Sequence, residues 1–170
     1  MENNIYVFVY GTLKKNEPNN HVISDTKTGC HEFISSAKTI PKYTLVVGTK
    51  FNIPFCLEIK NKGNQIVGEV YKIDSKKLEV LDELEGYPKF YTRKLIDVIC
   101  EDGNILKAWI YLLPKYGDEF LKEVSEEMIC YSSKGSHGRE YVTRSQREER
   151  DRNYRLRENP LYYVGLGQDV

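Results

Sequence analysis

The first predicted strand of the chain, with the turn that ends it, is Tyr6-Val7-Phe8-Val9-Tyr10 followed by Gly11-Thr12-Leu13. Aromatic and β-branched residues follow one another there without a polar break, which predicts a strand buried on both faces. Gly11 then lets the backbone turn sharply, because it has no side chain. Successive backbone amides at such a turn can bind an anion or an oxyanion. A Tyr-Gly pair alone is more typical of an ordinary strand-ending turn, so a functional role depends on residues further along the chain.

The charge balance of the chain points to a local site rather than to a charged surface. Its 170 residues include 25 basic and 25 acidic side chains, so no overall field attracts nucleic acid or an anionic membrane. The length predicts one domain. No apolar run reaches about 18 residues, and the first residues lack the pattern of a secretion signal. We therefore expect a cytoplasmic monomer that binds neither nucleic acid nor a membrane.

Cysteine spacing argues against disulfide bonds and zinc sites. The four cysteines are far apart in sequence, form no C-x-x-C pair and lie mostly in apolar runs: Cys30, Cys56, Cys100 and Cys130. This pattern is typical of reduced, buried thiols in the cytosol. We predict neither a disulfide nor a bound metal.

Turn signals and short apolar runs predict a protein that is mainly β. Further strands are predicted over residues 28–37, 43–47, 52–59, 66–73, 90–100 and 105–113. Glycine-containing turns predict two hairpins, one across residues 61–64 and the other across residues 101–104. Because most strands follow one another directly, we predict an α+β fold with a small mixed or antiparallel β-barrel and flanking helices.

A helix is predicted between Asp74 or Ser75 and Gly86. Asp74 or Ser75 can cap its first turn by accepting a hydrogen bond from an unpaired amide. Gly86 and Pro88 end the helix. The helix therefore has clear start and stop signals at both ends.

One face of this helix combines two leucines with a carboxylate. Leu78, Leu81 and Glu85 are spaced by three and four residues, which puts them on the same face. Burial and the negative end of the helix dipole would both raise the pKa of Glu85, which is typical of a residue that moves protons. From the helix alone, an outward-pointing Glu85 is equally possible. The other acidic residues are predicted to lie mainly on the opposite side: Glu79, Asp82 and Glu83.

The C-terminal third is predicted to be less regular. A second amphipathic helix is expected over residues 118–128, followed by a flexible polar connection over residues 131–138. Residues 139–158 are rich in arginine but interleaved with acidic residues, which favours a solvated helix or mobile tail over a nucleic-acid arm. The apolar residues 161–166 are expected to dock on the same chain or on a neighbour.

Several of these motifs together resemble the gamma-glutamylcyclotransferase superfamily. The resemblance rests on four motifs in order: Tyr10-Gly11-Thr12-Leu13, Gly68-Glu69-Val70-Tyr71, Leu81-Asp82-Glu83-Leu84-Glu85-Gly86 and Tyr91-x-Arg93. A narrower likeness, to gamma-glutamylamine cyclotransferases, rests on residues 14–21 and 52–54 and on Tyr131-x-Ser133-x-Gly135-x-His137-Gly138 with Tyr141 and Arg144. We expect one such domain over residues 1–147 and a charged tail with an apolar end over residues 148–170.

The resemblance implies an enzyme that acts on a small gamma-glutamyl molecule without a metal or cofactor. In this family the substrate's own α-amine attacks its gamma-carbonyl, which releases an amine and forms 5-oxoproline. Glu85 matches the family residue that would take a proton from the α-ammonium and deliver one to the leaving nitrogen. The family's substrate-binding loop matches four residues, which we call the cradle: Tyr10, Gly11, Thr12 and Leu13.

Three residues have weaker claims to a catalytic role. Tyr91 matches a family tyrosine that could approach the site, although a core aromatic is also typical at the start of a strand. His137 lies in a loop rich in glycine and serine with no visible triad partner, which favours an ordinary loop histidine. Thr12 has no accompanying base, so a nucleophilic role is disfavoured.

The leading interpretation is a gamma-glutamylamine cyclotransferase that acts on substrates such as gamma-glutamyl-ε-lysine. Two alternatives stay open at this point. The first keeps the chemistry and uses gamma-glutamyl amino acids as substrates. The second is a non-catalytic binding protein of the same fold that uses the arginine-rich tail to bind a partner.

Overall fold

The computed structural model describes residues 4–147, which form seven strands, three α-helices and two 3₁₀ turns. The strands are β1 (Ile5–Val9), β2 (His31–Thr39), β3 (Thr44–Gly48), β4 (Ile53–Leu57), β5 (Val67–Ile73), β6 (Thr92–Cys100) and β7 (Ile105–Leu112). The helices are α1 (Asn20–Ser24), α2 (Ser75–Glu85) and α3 (Asp118–Glu123), and the 3₁₀ turns are Thr26–Thr28 and Arg144–Gln146.

Five of the strands form a closed barrel in the order β1-β5-β2-β6-β7. β1 is antiparallel to β5 along its whole length and parallel to β7, where Val7 lies opposite Trp109. Phe8 and Val9 are buried with Val7, as the unbroken apolar run predicted. The predicted α+β fold with a small mixed barrel and flanking helices is confirmed.

The remaining two strands, β3 and β4, form a small antiparallel sheet of their own. The predicted hairpin across residues 61–64 is therefore wrong, because β5 pairs with β1 and β2 rather than with β4. Asn64 instead bridges Tyr43 through two backbone hydrogen bonds of 2.8 and 2.9 Å. A Cβ at Gly68 would lie 2.4 Å from the carbonyl oxygen of Val9, so this glycine permits the close approach of β5 to β1.

The second predicted hairpin is present. β6 and β7 are antiparallel from Thr92 opposite Leu112 to Ile99 opposite Ile105. Gly103 has a φ of +86° in the connecting turn, where glycine is favoured. The turn signal in the sequence thus predicted this pairing correctly.

The predicted start and stop of α2 are also confirmed. The Asp74 carboxylate accepts hydrogen bonds from the amides of Cys30 at 2.8 Å and Lys77 at 2.7 Å. These two bonds lower the pKa of Asp74 below its ordinary value. Gly86 ends the helix in the left-handed region with a φ of +67°.

The α3 helix is shorter than predicted, because the chain leaves it to pair with β3. Val124 is already extended. The amide of Ser125 donates to the carbonyl of Val47 at 2.8 Å, and the amide of Met128 donates to that of Leu45 at 2.9 Å. Backbone pairing with the small sheet replaces the last turns of the predicted helix.

Residues 131–147 run along the body, and several of their side chains are buried there, although the sequence predicted a flexible polar connection and a solvated segment. Tyr131 and Tyr141 are buried, and Arg147 is only 9% exposed. The Arg147 guanidinium stacks over the ring of Phe51 at 4.3 Å, which lets a charged residue cover apolar surface. The rest of the predicted tail, including the apolar residues 161–166, lies outside the described residues.

The predicted burial of the cysteines holds for two of the four. Cys56 and Cys100 are buried, whereas Cys30 and Cys130 are exposed. The apolar neighbours of the exposed pair in sequence therefore did not predict their environment. Across residues 4–147, no helix has the length and apolar character needed to cross a membrane.

A buried lysine joins α2 to the preceding turns. Lys77 is fully buried, and its ammonium donates three hydrogen bonds. The acceptors are the carbonyls of Val22 at 3.1 Å and Asp25 at 2.7 Å, and Oγ1 of Thr28 at 2.6 Å. Since the three acceptors lie in α1 and in the turn that follows it, this one side chain holds residues 22–28 against α2.

Replacing Lys77 with methionine is expected to lower the free energy of unfolding by about 2 kcal/mol, because it leaves these acceptors without their donor. Urea denaturation measures the change. Lys89→Met is the control, since Lys89 is exposed shortly after the same helix, and it should change stability by less than about 0.5 kcal/mol. Equal effects of the two substitutions would contradict the role assigned to Lys77.

Candidate active site

A pocket opens beside the carboxyl end of β1. Its walls come from the end of β1, the start of β4, the last turn of α2, the barrel strand β7 and residues 131–147, which we call the last described segment. The lining residues include the four cradle residues together with Asn19, Ile53, Pro54, Leu84, Glu85, Tyr91, Tyr111, Tyr141 and Arg144. The cradle and Glu85, which the sequence analysis selected separately, therefore face the same space.

The lengths of two elements explain why Glu85 reaches the cradle. Ile73 at the end of β5 lies opposite Ile5 at the start of β1, so α2 begins beside the start of β1. α2 has 11 residues and is about 16 Å long. β1 has 5 residues and spans about the same distance. The last turn of α2 therefore ends near the carboxyl end of β1.

Three cradle residues use their carbonyls, but not their amides, in hydrogen bonds within residues 4–147. The carbonyl of Gly11 accepts from the amide of Lys14 at 3.2 Å, and that of Thr12 accepts from the amide of Asn19 at 2.9 Å. The carbonyl of Leu13 accepts from the Asn20 side chain at 2.9 Å. Within residues 4–147, no hydrogen bond is donated by the amides of Gly11, Thr12 and Leu13. This arrangement leaves three consecutive donors available to a bound molecule.

Gly11 is required by a close contact rather than by a special backbone angle. Its φ is not in the left-handed region. A Cβ at this position would lie 2.9 Å from Cγ of Pro54, which is closer than such atoms approach in proteins. Gly11 was predicted as part of the site, but the reason given for a glycine there was a sharp turn. Pro54 at the start of β4 provides the physical reason.

The side chain of Tyr10 is part of the pocket wall and is tied to the barrel. Its hydroxyl donates to the carbonyl of Tyr111 at 2.9 Å. Burial raises the pKa of Tyr10 well above its ordinary value, and the neighbouring Tyr91, Cys56 and Glu85 raise it further. Tyr10 therefore stays protonated.

A charged network beneath the pocket was missed by the sequence analysis. Asp82, predicted on the outer side of α2, accepts a hydrogen bond from the hydroxyl of Tyr111 at 2.6 Å. It also forms an ion pair with Nη1 of Arg93 at 2.6 Å. Burial raises the pKa of Tyr111, and its hydrogen bond to Asp82 raises it further. Arg93 was present in the family motif, but its sequence position gave no indication of this partner.

Asn19 connects the cradle to the last described segment. Its side-chain amide donates to Oγ1 of Thr12 at 2.9 Å and to the hydroxyl of Tyr141 at 3.1 Å. Asn19 and Tyr141 belong to the motifs that carried the narrower resemblance, although neither was given a role. These motifs are more than a hundred residues apart in sequence and meet at this pocket.

Of the three residues with weaker claims to a role, two lie in the pocket and His137 does not. Tyr91 and Thr12 line the pocket. His137 is not among its lining residues; its Nε2 lies 2.7 Å from the carbonyl oxygen of Ser132, and its ring stacks on Tyr131. In the part of the chain from 4 to 147, no three His, Cys, Asp or Glu side chains are grouped as metal ligands.

Comparison with known proteins identifies the family. Residues 7–131 match the family described as Gamma-glutamyl cyclotransferase, AIG2-like. The chain belongs to this family. The resemblance seen in the motifs is thus confirmed, and the matched range contains both the cradle and Glu85.

Individual members of the family match most of the chain. Gamma-glutamylaminecyclotransferase C of Danio rerio is 38% identical over 149 residues, which cover 85% of this chain and 97% of that protein. A Drosophila melanogaster protein provisionally named a gamma-glutamylcyclotransferase is 42% identical over 125 residues, covering 74% and 78%. The crystal structure of an AIG2-like protein from Mus musculus has a TM-score of 0.78 at 33% identity, covering 85% and 99%.

The close approach of Pro54 to Gly11 limits the size of the side chain at position 11. Gly11→Ala is expected to lower the free energy of unfolding by about 1–3 kcal/mol, because the added Cβ pushes Pro54 away from the cradle. Urea denaturation measures this loss.

A double-mutant cycle tests the cause of that loss. Pro54→Ala removes the ring atom that the new Cβ would meet, so the double variant should lose clearly less stability than the sum of the two single variants. Additive losses would contradict a direct clash between the two positions.

Proposed function

We propose that this protein is a gamma-glutamylamine cyclotransferase, which converts gamma-glutamyl amines such as gamma-glutamyl-ε-lysine into 5-oxoproline and a free amine. Membership of the family and the name of the Danio rerio relative support this activity. The observation that carries the proposal is the presence of Glu85 and three unengaged amides in one pocket.

Glu85 is proposed as the general acid and base. The α-ammonium of the glutamyl group must lose a proton before its nitrogen can attack the gamma-carbonyl. Glu85 accepts that proton, and the new bond joins the α-nitrogen to the gamma-carbon. When the original amide bond breaks, Glu85 returns this proton to the departing nitrogen. The ring nitrogen loses a second proton as the lactam forms, and the free amine takes it up and leaves as an ammonium, so the carboxylate is regenerated and no water is consumed.

The position of Glu85 suits this exchange of protons. It lies at the C-terminal end of α2, where the helix dipole disfavours a negative charge. Two protonated tyrosines, Tyr10 and Tyr111, are within its electrostatic reach. The raised pKa expected for Glu85 stays a prediction from this position.

The cradle is proposed to stabilise the oxyanion that forms on the gamma-carbonyl oxygen. Amides held in place before the reaction need no reorganisation when the charge develops, and one such donor typically contributes about 10²–10³ in rate. The amides of Gly11, Thr12 and Leu13 are held in this way because their carbonyls are bonded elsewhere. Orienting the substrate's own amine and carbonyl for ring closure contributes further, on the order of 7 kcal/mol.

A second candidate activity is a cyclotransferase for gamma-glutamyl amino acids, which the provisional name of the Drosophila melanogaster relative favours.

We also propose that residues 1–147 form the catalytic unit, which the pocket lining by Tyr141 and Arg144 supports. The cytoplasmic location, the monomeric state and the separate role of residues 148–170 stay predictions.

Glu85→Gln is expected to lower kcat by about 10²-fold or more while leaving the fold intact, because the amide cannot exchange the proton. The rate of 5-oxoproline formation measures the loss, and circular dichroism checks the fold. Glu79→Gln is the matched control, since Glu79 is exposed on the same helix, and it should keep wild-type turnover. A folded Glu85→Gln protein with full activity would refute the assigned role.

The leaving amine is tested by comparing gamma-glutamyl-ε-lysine with a gamma-glutamyl-α-amino acid at equal concentration. The amine cyclotransferase is expected to show a higher kcat/KM for the ε-linked conjugate. Activity on the α-linked conjugate alone would favour the second candidate. A folded protein that converts neither conjugate would favour the non-catalytic alternative.

A further inference from the structure

Arg144 gives the mouth of the pocket a feature that the proposed proton transfer and oxyanion binding do not use. Among the described residues that line the pocket, it is the one cationic side chain, and Glu85 is the one anionic side chain. Arg144 is exposed, Thr12 and Glu85 are half-buried, and the other three cradle residues are buried. The positive charge therefore lies at the open side, and the reacting groups would lie at the closed side.

The backbone around Arg144 is held in place on both sides. Thr143 and Gln146 form a reciprocal capping box around its 3₁₀ turn. The amide of Val142 donates to the carbonyl of Phe51 at 3.0 Å, and Arg147 donates two hydrogen bonds back to the carbonyl of Val142. These contacts fix the segment on the body of the protein, so the guanidinium is presented from a rigid support.

Only part of the hydrogen-bonding capacity of Arg144 is used within the described chain. Its Nη2 donates to the carbonyl of Leu84 at 3.1 Å, which attaches it to the residue before Glu85. A guanidinium carries five N–H donors in a planar fork that matches a carboxylate. The remaining donors can therefore bind a carboxylate group in the pocket mouth with two parallel hydrogen bonds.

A gamma-glutamyl amino acid conjugate offers two carboxylates, one on the glutamyl group and one on the departing amino acid. The glutamyl group must lie between Glu85 and the cradle, because its amine and gamma-carbonyl react there. The departing amino acid then extends toward the open side. We propose that Arg144 binds the carboxylate of the departing amino acid and so selects the leaving group; this inference rests on the proposed function.

Two conjugates that differ by one carboxylate test this assignment. Gamma-glutamyl-ε-lysine carries it, and gamma-glutamyl-cadaverine is the same molecule without it. Arg144→Ala is expected to lower kcat/KM about ten- to a hundredfold for the lysine conjugate, mainly through KM, since a hydrogen-bonded charge pair is lost. The cadaverine conjugate should change less than about threefold, because it has no group for Arg144 to bind.

Two variants complete the design. Arg144→Lys keeps the charge but loses the fork, so it should recover only part of the loss on the lysine conjugate. Lys107→Ala removes an exposed cation on β7 outside the pocket lining, and it should leave both conjugates unaffected. Thermal unfolding of each variant checks that the fold is intact.

The possible results separate the assignment from the proposed function. Equal losses on both conjugates would overturn the assignment, because Arg144 would then serve the glutamyl group or position Glu85 through Leu84. No loss on either conjugate would overturn it as well. If the wild-type enzyme converts only α-linked conjugates, gamma-glutamyl-alanine and gamma-glutamyl-ethylamine form the equivalent pair. A wild-type protein that converts none of them would overturn the proposed function and this inference together.

Discussion

The antiparallel pairing of β1 with β5 is the constraint on which the whole site depends. It brings the end of β5 beside the start of β1, so that α2 starts there and runs back along the barrel. Because α2 and β1 span nearly equal lengths, the last turn of the helix meets the turn that follows the strand. A shift in register or a change in helix length would separate Glu85 from the cradle while leaving every local motif unchanged.

The contact between Gly11 and Pro54 adds the second wall. β3 and β4 form a separate sheet, and the start of β4 approaches the cradle so closely that residue 11 has no room for a Cβ. The last described segment then lines the mouth with Tyr141, which accepts a hydrogen bond from Asn19, and with Arg144. The pocket is thus assembled from parts of the chain that are distant in sequence, and each wall depends on a specific backbone contact.

Local signals in the sequence predicted the elements that have strong local causes. β1 follows from an unbroken apolar run, α2 from its capping residue and terminal glycine, and the β6–β7 hairpin from its Asp-Gly turn. The errors arose where a distant partner decides the outcome: β5 pairs with β1 and β2 instead of β4, and Arg147 of the arginine-rich segment stacks on an aromatic ring. From the sequence alone, a charged side chain such as Arg147 is predicted to be exposed. Only the fold shows that it stacks on the ring of Phe51.

The same distinction applies to the site. Glu85 and the cradle could be selected because a carboxylate on an apolar helix face and a glycine after a buried strand are unusual locally, and because both match family motifs. Asp82 could not be distinguished from the other acidic residues of α2, since only the fold brings Arg93 and Tyr111 to it. Arg144 belongs to a motif of the narrower resemblance, but the sequence gave it no role, because its relation to Glu85 depends on the path of the last described segment.

The most direct test of the proposed chemistry is conversion of the preferred gamma-glutamyl conjugate in ¹⁸O-labelled water, with the products analysed by mass spectrometry. Attack by the substrate's own α-amine consumes no water. Unlabelled 5-oxoproline and the free amine are therefore expected in equal amounts. Glutamate that carries ¹⁸O, formed at the same rate as the amine, would mean that water attacks the gamma-carbonyl and would contradict intramolecular cyclisation in this pocket.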